Sequence, residues 1–253
     1  MNMRVNVLLS PLNADDLYFS GKTTVVIDIL RATSVIVTAL GNGAKEIIPV
    51  NTVDFAMKVS GNAFGGQTLL GGERNTKKIE GFALGNSPLE YNAETVKGKS
   101  IILYTSNGSK AIVKSKFSEN LYICSFGNLN ALAEHLVNLN KDVVIVCSGS
   151  GGMFCIEDTV CAGKLITEML KLNEEIEYSD AASASIVLNK SFGKSLNKML
   201  TNSEHGRLLI DNGFEEDIKV CAKLNSHNII PYYDSGVIKL QKTESEKSVE
   251  SDI

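Results

Sequence analysis

Short apolar runs rich in β-branched residues recur along this chain, and most stop abruptly at a polar or glycine-rich loop: TTVVIDIL, EIIPV, QTLLGG, SIILYTS, LYICSFG and DVVIVCSGS. Continuous apolar runs of this length, without alternation, predict strands covered on both faces, as in a parallel sheet. Between several of them lie stretches of helical periodicity, NLNALAEHLVNLN and EDTVCAGKLITEMLKL. In the second, Cys161, Leu165, Met169 and Leu172 follow one another down one face. Alternating strand and helix predicts an α/β fold, a largely parallel or mixed sheet flanked by helices. The segment from about 174 to 230 is more helical and polar, and it returns through NIIPYYDSGVIKL, read as a closing strand or paired ribbon. Two lobes, with a site in the cleft at the C-terminal ends of the strands, are compatible with this pattern. Residues 1–240 make up the α/β unit, and the tail 241–253 is charged and nearly free of large apolar residues. Such a tail cannot offset its ordering entropy and is expected to be mobile.

Composition removes several function classes. The 253 residues are 43% hydrophobic, enough for a sizeable core. A formal net charge of -4, with Lys and Arg scattered rather than clustered, gives no electrostatic reason to bind nucleic acid. The start MNMRVNVLLSPLNADD has too short an apolar run for a signal segment, and no stretch reaches the roughly 18 apolar residues that span a bilayer. No membrane association is expected, and the cytoplasm is the expected location. The five cysteines form no C-x-x-C pair, and no histidine lies near Cys147, Cys155 and Cys161. A disulfide framework or structural zinc site is therefore not expected, and the thiols read as small core residues.

The polar residues cluster where the strands end. Asp28 and Arg31 belong to VVIDILRATS, Glu73 and Arg74 follow QTLLGG, Thr105, Asn107 and Ser109 follow SIILY, and Ser148 to Asp158 follow DVVIVC. In an open parallel sheet those ends gather along one edge, where such folds bind ligands. Backbone N–H groups in GGERN, SNGSK and SGSGG can approach an anion closely. Arg31 and Arg74 supply planar forks for phosphate, sulfonate or carboxylate. Asp28, Glu73, Glu157 and Asp158 would repel the same anion unless a hard divalent cation sat between, and magnesium joins one or two carboxylates to substrate phosphate. The combination points to metal-assisted phosphoryl chemistry.

Plainer readings stand beside each piece. Glu157 and Asp158 suit a helix N-terminus on charge alone. Arg31 and Arg74 have acids near enough for structural ion pairs, and the glycine loops suit ordinary turns. His135 lies in a helical stretch and reads as a surface residue, whereas His205, in SEHGRLL, fits either role. Familiar phosphate-handling and esterase signatures are absent: there is no G-x-x-x-x-G-K-[ST], no Cys with an Arg six positions later, no Asp-x-Asp at Asp28 and no G-x-S-x-G.

In their order and spacing, DILRATS, GGERNTKKIEGFALGNSP, TSNGSKA and GSGGMFCIEDTVCAG resemble the 2-phosphosulfolactate phosphatase family, over about residues 4–240. The resemblance implies a magnesium-dependent phosphatase that hydrolyses 2-phosphosulfolactate to 3-sulfolactate and phosphate, in the route to coenzyme M. Carried over residue by residue, the matching positions are Asp28, Arg31, Thr33 and Ser34; Glu73 and Arg74; Asn86 and Ser87; Thr105, Asn107, Gly108 and Ser109; and Gly149, Glu157 and Asp158. His205, Gly206 and Asp217 match more weakly. The chain departs from the family pattern at Ser109, where Thr is usual, and at Asn75 and Thr76, where Gly is common.

On this reading Mg²⁺ is held by some of Asp28, Glu73, Glu157 and Asp158, while Arg31 and Arg74 take substrate anions. Asn107, Ser109 and the SGSGG amides orient phosphate oxygens, with Asp28, Arg31, Asn107 and Asp158 as the catalytic set. Ser34, Asn86, Ser87, Thr105, Gly108 and Gly149 complete the substrate-binding set. The nucleophile stays open between metal-activated water and a protein group such as Asp28. The expected partner is a small anionic phosphorylated substrate, and a homodimer is compatible with the reading. Two alternatives remain: a phosphatase for another small phosphorylated hydroxy acid, and a non-catalytic binder of anionic metabolites.

Overall fold

Eleven strands join in one open mixed sheet in the computed structural model, which describes residues 2–62 and 68–241. In chain order they are β1 (Arg4–Leu8), β2 (Thr23–Ile27), β3 (Glu46–Val50), β4 (Thr68–Arg74), β5 (Lys77–Lys78), β6 (Ser100–Tyr104), β7 (Asn120–Cys124), β8 (Val143–Cys147), β9 (Glu177–Tyr178), β10 (Pro231–Asp234) and β11 (Val237–Leu240). The helices are α1 (Ala32–Gly41), α2 (Val53–Asn62), α3 (Ala93–Val96), α4 (Gly108–Lys114), α5 (Leu129–Leu139), α6 (Ile156–Leu172), α7 (Asp180–Phe192), α8 (Leu196–Asn202), α9 (Glu204–Asp211) and α10 (Glu215–Cys221). The expected α/β class is the observed one. The tail expected to be mobile lies, beyond Gln241, outside the described residues.

All six apolar runs form strands, in two parallel blocks. One block is β7-β2-β8-β1, in which Ile27 pairs with both Cys124 and Cys147. Three strands thus end at one level, and their loops leave together. The other block is β4-β6-β3, with Val50 and Gly72 both level with Tyr104. The hairpin β10–β11 lies between the blocks, antiparallel to β7 through Tyr232 and Tyr122 and to β3 through Ile238 and Ile47. Ser235 and Gly236, at φ 49° and 95°, make the two-residue turn that matches strand twist. The ribbon read as closing the fold is therefore its central seam; its three antiparallel pairings make the two blocks run in opposite senses, and loops from both blocks line one cleft.

Every residue of β2 and β8 is buried, as continuous apolar runs require. Val25, Ile27 and Cys147 face the layer of α5 and α6, while Val26, Val144 and Val146 face that of α1 and α4. A fully buried Val or Ile contributes about 1.5–3 kcal/mol, so these strands are held by both faces. On α6, Cys161, Leu165 and Met169 are buried but Leu172 is 53% exposed, so the apolar stripe ends one turn earlier than its periodicity suggests. All five cysteines are free, and four are buried. Among the described residues no helix is long and apolar enough to cross a membrane.

Candidate active site

Beyond β2 the chain turns sharply into α1, and Thr33 fixes the turn by accepting from the Asp28 N–H (3.0 Å) and donating to the Asp28 carbonyl (2.8 Å). Asp28 Oδ1 in turn accepts the N–H of Ala32 at 3.0 Å. The Asp28 side chain is therefore fixed at the floor of a cleft of about 450 Å³, lined also by Arg31, Glu73, Arg74, Asn86, Thr105 and Asn107. Seven residues expected at the site meet there, from four separate loops. Tyr104, Ser106, Thr76 and Lys110, none of them in the expected site set, line the same cleft, as does His205, whose match to the family pattern is weaker.

Glu73 ties two of the loops together. Its Oε2 accepts the N–H of Thr76 (2.8 Å) across the β4–β5 turn, and its Oε1 accepts the N–H of Ser106 (2.7 Å) after β6. Arg31 is 2% exposed and forms an ion pair of 2.5 Å with Asp217 on α10. Its second nitrogen donates to the Thr76 carbonyl (2.9 Å), and its guanidinium stacks 4.2 Å from the Phe214 ring centre. Ser87 donates to the other oxygen of Asp217 at 2.6 Å. Arg31 thus lines the cleft as a clamped wall, whereas the exposed Arg74 and Lys110 enter no ion pair among the described residues.

Asp158 lies behind the cleft rather than in its lining. Its two oxygens accept the N–H of Ile29 (2.9 Å), the N–H of Gly149 (3.0 Å) and the Ser148 hydroxyl (3.3 Å). One carboxylate from the first turn of α6 therefore binds together the loops after β2 and β8. Glu157, equally buried, faces a neighbouring cavity of about 710 Å³ that shares Ser150, His205 and Leu208 with the cleft.

The SGSGG loop is not the open cradle its glycines suggest. The Gly149 amide donates to Asp158, that of Ser150 to the Met153 carbonyl at 3.1 Å, and that of Gly151 to Asn107 Oδ1 at 3.1 Å. These three amides are engaged within the protein. Ser109 is fully buried in a reciprocal pair with Thr105, its hydroxyl accepting the Thr105 N–H (2.9 Å) while Thr105 Oγ1 accepts the Ser109 N–H (2.8 Å). Ser34 donates to the Ile29 carbonyl at 2.8 Å. Ser34, Ser87, Ser109 and Gly149 shape the walls from behind. At Gly108 a Cβ would stand 2.4 Å from the Ala32 Cβ and 2.5 Å from Asp28 Oδ2, so only glycine lets α4 approach this closely.

Burial dominates the electrostatics. It pushes the Asp28 carboxyl up to about 6, the nearby Glu73 charge adds to the rise, and hydrogen bonds from Ala32 and Ser148 oppose it. Burial also raises Glu157 and, well above the usual range, Asp158, with the charge of Asp28 adding to both. His205 is shifted the other way, first by burial and then by the Arg31 charge, which favours its neutral form at neutral pH. Among the described residues no three His, Cys, Asp or Glu side chains converge as a metal cage. Asp28 and Glu73 do present two carboxylates to one cleft, and two carboxylates with water and substrate phosphate form a shell that Mg²⁺ accepts. The donor set fits that ion.

The model of the family described as 2-phosphosulpholactate phosphatase matches residues 12–236. A curated protein of Caldanaerobacter subterraneus subsp. tengcongensis, named probable 2-phosphosulfolactate phosphatase, is 44% identical over 218 residues, 86% of this chain and 90% of the relative. Proteins of the same name from Clostridium acetobutylicum and Clostridium perfringens (strain SM101) are 38% and 39% identical. Those alignments cover 93% and 94% of this chain and 100% and 96% of the relatives.

Proposed function

The chain belongs to the 2-phosphosulfolactate phosphatase family, whose members are phosphoric monoester hydrolases, and on that premise we propose that it hydrolyses 2-phosphosulfolactate to 3-sulfolactate and phosphate with Mg²⁺. The observation that carries this reading is one cleft lined by the acids Asp28 and Glu73 together with the cations Arg74 and Lys110. The two acids would repel an anionic ligand unless a cation lay between them and it.

In the proposed mechanism Asp28 and Glu73 hold the ion. When bound, Mg²⁺ supplies charge neutralisation at the phosphoryl oxygens and at the leaving alkoxide. Arg74 and Lys110 bind substrate anions at the rim, and Asn107 holds the loop after β8 through Gly151. His205, which lines the cleft and is held neutral by burial, accepts a proton from the attacking water and returns it to the leaving alkoxide. Asp158 keeps the Asp28 turn and the Ser148–Gly149 turn in register through its three hydrogen bonds. A cytoplasmic setting belongs to the same proposal, supported by five unpaired cysteines.

The test is phosphate release from 2-phosphosulfolactate and from phosphate esters of other 2-hydroxy acids, each with Mg²⁺ and with a chelator. Rapid release from 2-phosphosulfolactate that stops on chelation is the expected result. Faster turnover of another ester would move the assignment to that substrate, and release from none would end it.

A further inference from the structure

Thr76 is a β-branched residue held at φ 69°, a left-handed backbone that such side chains rarely adopt. Two cleft residues hold it there: Glu73 accepts its N–H at 2.8 Å and Arg31 donates to its carbonyl at 2.9 Å. Its side chain receives nothing in return. Thr76 is 5% exposed, yet its Oγ1 has no hydrogen-bond partner, and Asn86 Oδ1, on a residue 6% exposed, has none either. Both residues line the cleft beside Arg74. A buried hydroxyl and a buried carboxamide without partners are costly unless something else completes them.

We propose that Thr76, Asn86 and Arg74 form a subsite for an oxyanion of the substrate that is not transferred, one of its two remaining acid groups, sulfonate or carboxylate. Thr76 donates its hydroxyl proton to that oxyanion, and Arg74 adds a charged fork. The Asn86 carboxamide, turned by half a rotation, offers its N–H to the same group. The subsite confers selectivity rather than chemistry. It deepens the phosphatase reading and rests on it.

The experiment compares the wild type with Thr76→Val, Thr76→Ser and Thr76→Gly. Thr76→Val keeps shape and backbone and removes only the hydroxyl; Thr76→Gly removes hydroxyl and strain together. The readout is the ratio of kcat/KM for 2-phosphosulfolactate to that for isopropyl phosphate, which lacks a second acid. Loss of a hydrogen bond to a charged group lowers that ratio by about 10- to 100-fold in the Val and Gly variants, while Thr76→Ser retains it. Calorimetric affinity for 3-sulfolactate falls by a similar factor in Thr76→Val. An unchanged ratio in the Val and Gly variants, or equal loss on both esters, would overturn the subsite. If the wild type releases phosphate from neither ester, the activity reading fails, and the 3-sulfolactate titration decides the subsite alone. Weaker binding in Thr76→Val than in wild type then supports it; equal binding, or none by wild type, overturns it.

Discussion

Arg31 and Asp217 lie 186 positions apart in sequence and meet in a buried ion pair of 2.5 Å, with side chains 1% and 2% exposed. The pair fixes α10 against the β2–α1 turn, and through the Thr76 carbonyl it also reaches the β4–β5 turn. A charge left alone in such a place costs far more than the pair gains. Asp217→Ala should therefore destabilise the protein by about 3–5 kcal/mol. Arg31→Lys, which keeps charge but loses the planar fork and the stack on Phe214, should fold but turn over slowly. Urea unfolding beside phosphate release checks both, and wild-type stability in Asp217→Ala would show the pair to be idle.

Asp28 makes the folded state pay for its function. With the carboxyl at about 6 in the folded protein and at 3.8 unfolded, the folded state binds the proton more tightly. Stability from this group is thus full below 3.8, declines as pH rises towards 6 and stays low above it. Asp28→Asn should remove that decline, stabilising the protein at pH 8 by about 1–3 kcal/mol while abolishing turnover. Mg²⁺ should raise the Tm of wild type more at pH 8 than at pH 5, because protons compete for the same carboxylate. Melting curves at the two pH values, for both proteins, decide this; a variant less stable than wild type at pH 8 would contradict it.

Asp158 and Glu73 separate when metal dependence is measured. Asp158→Asn replaces one accepting oxygen with a donor, so one of its N–H partners loses its acceptor, at a cost of about 1–3 kcal/mol. Activity should fall while the Mg²⁺ concentration for half-maximal rate stays where it was. Glu73→Gln should shift that concentration upward. A shifted midpoint in Asp158→Asn would instead return this residue to the metal.

The difference between Asp158 and Asp28 also shows what a sequence makes legible. Strands β2, β4, β6 and β8 announce themselves because burial on both faces demands unbroken apolar runs, and the polar residues after them mark the cleft edge. The partner of each polar group is another matter. Nothing local distinguishes Asp28, whose carboxyl reaches the cleft, from Asp158, whose carboxylate satisfies backbone N–H groups 129 and 9 positions away. The Gly149 and Gly151 amides are equally illegible, since Asp158 and Asn107 accept from them across loops that only the fold brings together. Arg31 and Asp217 pair only because α10 packs back onto α1's turn. RVNVL, at β1, alternates too briefly to stand out, and the place of β10–β11 in the middle of the sheet depends on pairings that no periodicity encodes. Thr76 is hidden most completely, because a β-branched residue argues against the left-handed backbone it adopts.

Gly108 offers the narrowest test of the cleft floor. An alanine there would bring its Cβ to 2.5 Å from Asp28 Oδ2 and 2.4 Å from the Ala32 Cβ, closer than atoms tolerate, so either α4 or the Asp28 carboxylate must move. Displacement of a reacting group by about 1 Å can cost on the order of 100-fold in rate. Gly108→Ala should therefore lose turnover out of proportion to any loss of stability. Gly81→Ala is the comparison: that residue sits at φ 83° with nothing within 4 Å of its missing Cβ, so alanine there costs about 1–2 kcal/mol of backbone strain and nothing at the cleft. Phosphate release and urea midpoints for the two variants should thus diverge, with Gly81→Ala less stable but active and Gly108→Ala folded but slow. Full activity in Gly108→Ala would mean that the position of Asp28 against α4 does not set the rate.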